Sequence, residues 1–490
     1  MTGPESFEFL GTAGTCVEAA DWNDASMEKL WLYNLHYFDD LTAVGAVDRR
    51  DWHSALIARW IQENPVGHGN GWEPYPLSLR IVNQLQWVLN GATAPDGFDA
   101  SLATQVRYLC KRIEWHLQGN HLFVNGKAIL MAGLYFTGPE AEKWQRLGWS
   151  ILAKELEEEF LSDGAHFELS PMYHSIMLRD LIDLVDFSRL YAGVLEQGFP
   201  GAESCLKDVV QQARQWLDGM VHPDGEISLF NDAAIGIAPS PSMVNDYARA
   251  VGLPDVQMEW PSLHHFQGSG HVRWSRDGWT AFLDVAAVGP DYLPGHAHAD
   301  TLTFELSLGD ERFIVDSGTG VYGDSPERLR QRGSLAHNVV TVDGEDSSEV
   351  WSGFRVARRA RAHDVNVCAT EPQRVSASHD GYKRLAGKVG VARTWAYQDG
   401  CMRIIDSTTG SYGQAVARFH FGEGVVLLAE EDAKFVATTT NGKRVEIQVT
   451  QGSAQVLSST YHPEFGAAIP NQVLEVELEA DGSEVLMQLA

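Results

Sequence analysis

Positive charge is scarce in this chain. Against 66 Asp and Glu stand 37 Lys and Arg, a formal net charge of −29. Nucleic-acid binding is therefore not expected, because a phosphate backbone is held by Lys and Arg. The same deficit disfavours a polyanionic ligand unless Arg and His gather locally against the global field. Cysteine is sparse too. Cys16, Cys110, Cys205, Cys368 and Cys401 show no C-x-x-C spacing, which argues against a disulfide framework and for reduced, mostly buried thiols. No run of about eighteen apolar residues offers a membrane span, so membrane insertion is not expected. The start, MTGPESFEFLG, lacks the basic residues and apolar run of an export signal. The expected location is the cytoplasm, or the periplasm or exterior if a leader has been removed. Oligomeric state is not legible in the sequence.

What is present is an ordinary globular composition, 44% hydrophobic and 21% charged over 490 residues, a length that favours two domains. The first half carries helical stripes. Trp52, Leu56, Trp60 and Ile61 share a face in a run that Pro65 closes. Leu178, Leu181, Ile182, Val185 and Leu190 form a second stripe, opened by Ser170-Pro171 as N-cap and first helical residue. A third, from Leu206 through Val210, Ala213 and Trp216, stops before Pro223-Asp224-Gly225. These stripes predict a helical bundle, solenoid or α/α toroid. From Gly268 onward, short alternating runs are punctuated by Asp277-Gly278, Gly309-Asp310, Asp343-Gly344, Asp399-Gly400, Asn441-Gly442 and Asp481-Gly482. That spacing predicts antiparallel hairpins, enough for a sandwich. The boundary falls between Val251 and Gly268, giving domains 1–262 and 263–490.

Five segments carry residue types suited to chemistry. In Pro294-Gly295-His296-Ala297-His298-Ala299-Asp300, extended chain would turn both imidazoles to one side, as a metal pair requires. Loop histidines without a role are the alternative. Asp316 ends an apolar strand, where an acid is costly unless paired or bound to a cation. His337 opens another strand, and two His with one Asp make a sensible zinc set with an open position. A turn residue and a backbone-bonded histidine are the plainer readings of those two. Gly119-Asn120-His121-Leu122-Phe123-Val124-Asn125 sets polar side chains at an apolar helix start, more of them than one N-cap explains. Tyr173, in Glu168-Leu169-Ser170-Pro171-Met172-Tyr173-His174, falls in the first turn of its helix, where the dipole favours a phenolate; a packed interior tyrosine is the alternative.

Together these types fit β-elimination at a 4-linked uronate. Asn and His donors would bind the carboxylate and stabilise an enolate-like transition state. Tyr and His suit the base that takes the C5 proton and the acid that protonates the leaving O4. No paired catalytic carboxylates stand out, which counts against a standard glycosidase.

The segments together resemble the heparinase II/III-like polysaccharide lyases and the related oligo-alginate lyases. The resemblance runs from Trp31-Leu32-Tyr33-Asn34-Leu35-His36-Tyr37-Phe38 to about Phe354, with Gly119-Asn120-His121, Ser170-Pro171-Met172-Tyr173-His174, Gly295-His296-Ala297-His298-Ala299-Asp300, Val315-Asp316-Ser317-Gly318 and Ala336-His337-Asn338 in the family's order. It implies an α+β chain, an incomplete α/α toroid followed by an antiparallel β-sandwich. It implies that Asn120, helped by His121, neutralises the uronate carboxylate, that Tyr173 donates the proton to the leaving oxygen and in a syn geometry also acts as base, and that His296 is the base in an anti geometry or keeps Tyr173 poised. These side chains should line one cleft. His298, Asp316 and His337 match the positions of a metal, usually zinc, with a mainly structural role. Arg332 is a candidate for a carboxylate or sulfate, with a solvated surface arginine as the alternative. Trp72 and Tyr75 look like sugar-stacking residues, with core packing as the alternative. Asn125 stands where some members carry an acid, and is grouped with the substrate-binding candidates. The expected partner is an acidic polysaccharide or oligosaccharide. Members without an export signal are often associated with bacterial surface-polysaccharide production. A zinc-dependent hydrolase and a non-catalytic glycan-binding protein on a lyase scaffold are the competing readings.

Overall fold

The computed structural model describes residues 1–431 and 433–490. The chain divides into two compact units, Met1–Glu159 with Asp180–Asp208, and Phe160–Arg179 with Val209–Ala490. Helix gives way to strand between Ala250 and Leu263, so the change of secondary structure and the division by compactness fall at different places. The order is a helical N-terminal region followed by antiparallel sheets.

The first unit opens on a small hairpin, Ser6–Phe9 with Thr12–Thr15, which the helical reading of this half did not anticipate. Helices follow at Lys29–Tyr37, Arg50–Glu63, Pro74–Leu89, Phe98–Leu109, Gly119–Tyr135 and Pro139–Glu159. Gly119–Tyr135 is apolar nearly all round and buried along almost its whole length, the signature of a helix enclosed by others. It packs against Pro74–Leu89 on one side and Pro139–Glu159 on the other. The second contact is backbone to backbone. A Cβ on Gly148 would lie 2.5 Å from the Leu130 nitrogen and 2.8 Å from the Gly126 oxygen.

The second unit holds a five-stranded antiparallel meander (Leu263–Phe266, His271–Arg276, Trp279–Asp284, Phe304–Leu308, Glu311–Ile314), an eight-stranded sheet with Ala362–Cys368 and Val426–Glu431 at its edges, and a four-stranded sheet that pairs Val340–Val342, Ala415–His420, Ile469–Glu477 and Ser453–Tyr461. One apolar core draws on all three, with Leu283 and Phe313 from the meander, Val375, Trp395 and Ile447 from the large sheet, and Ala417, Phe419 and Leu474 from the small one. Asp277-Gly278 and Asp399-Gly400 make the tight hairpins expected, with both residues at positive φ, the geometry that matches strand twist. Two of the turn dipeptides do something else. Asp343-Gly344 ends Val340–Val342 without starting a paired strand, and Asp481-Gly482 carries the chain from the small sheet to the large one.

All five cysteines are free thiols, but only Cys16 is buried and Cys205 is exposed, so the expectation of mostly buried thiols is corrected. Among the described residues no helix is long and apolar enough to cross a membrane.

Candidate active site

In the second unit, the segment before Tyr173 is held in an unusual backbone. Leu169 has φ 59°, a left-handed conformation that a β-carbon disfavours, and its carbonyl accepts from Asn231 Nδ2 at 3.1 Å. Ser170 then acts as the N-cap, its Oγ accepting from the Tyr173 nitrogen at 3.2 Å and donating to the Asp232 carbonyl at 2.5 Å. Pro171 follows as the first residue of Pro171–Leu190, which puts Tyr173 in the first helical turn as its sequence suggests. Its ring lies stacked on His296, centroids 3.8 Å apart and planes 18° from parallel. Its hydroxyl shares a hydrogen bond of 3.0 Å with the Tyr322 hydroxyl. Glu168, three residues before the helix, meets His296 Nδ1. Burial alone would lower the His296 imidazole, but the Glu168 carboxylate outweighs it and the group is raised. Burial likewise holds the Tyr322 phenol well above its ordinary value. The result is a tyrosine whose polar end faces a second hydroxyl and whose ring is fixed by a carboxylate-held histidine.

The two imidazoles of the turn through residues 296–300 take different partners and do not form a metal pair with each other. His296 faces Tyr173, whereas His298 is fully buried with Nε2 2.8 Å from Asp232 Oδ1. Asp232 also takes Arg328 at 2.5 and 2.6 Å. Burial would raise this carboxyl, but Arg328 and then His298 hold it far below the carboxylate range. His337 is oriented the same way, with Nδ1 2.9 and 3.0 Å from the Asp316 oxygens and Thr303 Oγ1 donating to Asp316 at 2.9 Å. Each histidine thus has one nitrogen tied to a carboxylate, which fixes the tautomer and leaves the other lone pair free, as in carboxylate–histidine–metal arrangements. The remaining atoms, His298 Nδ1 and His337 Nε2, are buried without hydrogen-bond partners, as is Asp300 Oδ2. His298, Asp300 and His337 offer ligand atoms within 4.8 Å of one another. A divalent cation fits this set. The acid in it is Asp300. Asp316, expected as a ligand from the sequence, stands behind His337 and orients it.

Arg332 does not reach ligand. It is fully buried, and its guanidinium donates to the Ala297 carbonyl at 2.9 Å and the Ser352 carbonyl at 3.0 Å. The substrate role expected for it is corrected to bracing of the histidine turn.

In the first unit, Asn120 and His121 occupy the first turn of Gly119–Tyr135, after Gln118 at φ 58°. Asn120 is 6% exposed. His121 is more open, with Nδ1 3.2 Å from Glu114 Oε1 and its ring 4.4 Å from that of Tyr75. Tyr75 is half-buried, its ring also edge-on to Tyr37 at 6.0 Å. Trp72 does not offer a face to a sugar. It is buried, its Nε1 donates to the Asn64 carbonyl at 3.2 Å, and it packs on Trp60 and Tyr108. Asn125 is also removed from the binding set. It is wholly buried, accepts from the Glu114 nitrogen at 2.9 Å, and donates to Ser78 Oγ and Glu114 Oε2 at 3.0 and 3.1 Å. It holds the loop that carries Glu114, and so sets the partner of His121.

Five site residues escaped the sequence reading: Glu168, Asp232, Asp300, Tyr322 and Arg328. Glu168 and Asp300 sat inside segments already singled out, and an acid beside each histidine was the available signal. Asp232, Tyr322 and Arg328 come from separate loops and a short helix, with no spacing to link them to Tyr173 or His298.

The profile of the heparinase II/III N-terminus matches residues 48–253, and that of the heparinase II/III-like C-terminal region matches 259–487. The chain belongs to the heparinase II/III-like family. Among its relatives, a heparin-sulfate lyase of Bacteroides stercoris is 23% identical over 403 residues, 77% of this chain and 58% of that one. A heparin-sulfate lyase of Pedobacter heparinus is 24% identical over 324 residues, 59% of this chain and 47% of that one. The chain therefore spans about half the length of the curated relatives it matches. In fold it resembles the crystal structure of heparinase III, with a TM-score of 0.75 at 17% identity over 98% of this chain and 79% of that one. It also resembles a heparan sulfate lyase of Pedobacter heparinus, with a TM-score of 0.65 at 18% identity over 99% and 81% of the two chains.

Proposed function

We propose that the chain is a polysaccharide lyase that cleaves a 4-linked uronate in an acidic glycan by β-elimination. The observation that carries this is the Tyr173–His296 stack, with the tyrosine hydroxyl bonded to Tyr322 and the histidine held by Glu168. A base takes the proton from C5, the electron pair forms the C4–C5 double bond, and the C4–O4 bond breaks. The leaving oxygen then takes a proton. Tyr173 is the acid, holding the proton on its hydroxyl with the Tyr322 hydroxyl as its hydrogen-bond partner. Glu168 occupies His296 Nδ1, so Nε2 is the nitrogen left to act as base or to polarise Tyr173. For Asn120 and His121 the proposal is the carboxylate contact that the resemblance implies, supported by their position at a helix N-terminus, where an anion is favoured. The chemistry needs neither water nor a paired carboxylate. The relatives named as heparin-sulfate lyases support an acidic glycan, and heparan sulfate is the first to try.

We further propose one divalent cation, zinc, held by His298, Asp300 and His337. When bound it supplies cross-linking charge in a buried acidic pocket and takes no part in the elimination. The experiment is a panel of acidic polysaccharides, among them heparan sulfate, hyaluronan and alginate, followed by the ultraviolet absorbance of unsaturated uronate ends. A lyase produces that absorbance on one or more of them. A hydrolase or a binder releases none.

A further inference from the structure

Val350–Trp351 and Arg355–Val356 form a two-stranded hairpin outside the three large sheets. Its turn is firmly set. Ser352 lies at φ 51°, and Gly353 comes so close to Gly323 that a Cβ would sit 2.5 Å from the Gly323 oxygen. Two buried arginines brace it, Arg332 Nη1 donating to the Ser352 carbonyl and Arg328 Nε to the Gly353 carbonyl, each at 3.0 Å. These same arginines hold the histidine turn, through Ala297 and Asp232. Phe354 is edge-on to Tyr322 at 5.3 Å and to His296 at 6.2 Å. The hairpin is thus fixed beside the Tyr173–His296 pair by the groups that fix the pair itself.

Trp351 and Arg355 are directly opposed in register, so their side chains leave the hairpin on one face, with Cβ atoms about 4.5–5.5 Å apart. Trp351 is 55% exposed, and Arg355 is exposed. The neighbouring arginines are neutralised, Arg358 by Glu349 and Arg359 by Asp291. Among the described residues Arg355 has no carboxylate within ion-pair distance. An open tryptophan on a braced hairpin adds nothing to a core, and the guanidinium opposite it is free to meet an anion. An indole face takes the C–H face of a pyranose, and a guanidinium fork takes a carboxylate or sulfate. We propose that Trp351 and Arg355 form a glycan subsite beside the catalytic pair, which takes one negatively charged pyranose of the acidic chain. The identity of the ligand rests on the lyase reading.

The test measures binding separately from turnover. In a Tyr173→Phe background, the dissociation constants for heparan sulfate and hyaluronan oligosaccharides are measured by calorimetry for the parent, Trp351→Ala, Arg355→Ala and Arg355→Lys. The first two variants are expected to weaken binding of at least one probe about tenfold, the size of one charge-assisted contact. Arg355→Lys should restore part of the loss, and the Arg355→Ala deficit should shrink at high salt. Constants within about twofold of the parent, or a parent that binds neither probe, overturn the subsite. Wild-type ultraviolet assays judge the lyase reading independently. Absent turnover with the binding losses intact rejects the lyase and keeps the subsite, and normal turnover with unchanged binding does the reverse.

Discussion

Tyr173 offers one hydroxyl, and the chemistry asked of it depends on what that hydroxyl touches. Its partner Tyr322 is a half-buried phenol whose proton is held firmly, so the pair keeps a proton at the reacting end while the His296 stack fixes the ring. Replacing Tyr322 by Phe removes that partner and almost no volume. Turnover is expected to fall about tenfold, roughly one hydrogen bond in the transition state, with the melting temperature nearly unchanged. Unaltered turnover would show that the contact is incidental. Placements set by local rules were legible in the sequence: Tyr173 falls in the first helical turn behind its Ser-Pro start, and Asn120 with His121 opens a helix. Residues that act by supporting these were not. Asp232 serves His298 from 66 positions away, and no local pattern announces it. Arg332, Trp72 and Asn125 were misread for the opposite reason. Their residue types suit a ligand, but only burial reveals that backbone carbonyls, a packed core and a loop already use them.

At the scale of elements, helix starts and tight turns were readable because their rules are local. Ser170 caps where expected, and Asp277-Gly278 and Asp399-Gly400 turn where expected. Sheet membership was not, since it depends on pairing across long stretches of chain; Asp481-Gly482 looks like a hairpin turn and instead transfers the chain between sheets. The cation pocket has the same character. Its three candidate ligands come from the 296–300 turn and the segment before Val340–Val342, and a bound ion would tie these segments together. Purified protein is expected to contain about one zinc per chain by elemental analysis. Chelation should lower the melting temperature of the wild type and leave that of His298→Ala unchanged, since the variant has already lost the ion. Metal-free protein with a melting temperature indifferent to chelator would contradict the site.

At the scale of the whole molecule, buried neutral histidines give stability a pH dependence. Burial lowers His36 and His174 to about 3 and His271 and His379 to about 4. The unfolded chain binds these protons near pH 6.5, and the folded chain only several units lower. Stability is therefore complete above pH 6.5 and is lost as pH falls through the window toward 3–4, by about 1.4 kcal/mol per unit for each group. The urea midpoint should drop steadily between pH 6.5 and 4.5, and a flat midpoint there would mean that these histidines accept protons while folded. The function proposed for the molecule turns on one residue, and the most direct measurement is turnover by Tyr173→Phe on whichever uronate polymer the wild type cleaves, with melting temperature as the folding control. Turnover is expected to fall by ~10²–10⁴-fold, the usual contribution of a general acid, in a protein that melts within a few degrees of wild type. A variant that folds and keeps near wild-type turnover would show that Tyr173 is only packed against His296, and would contradict the mechanism.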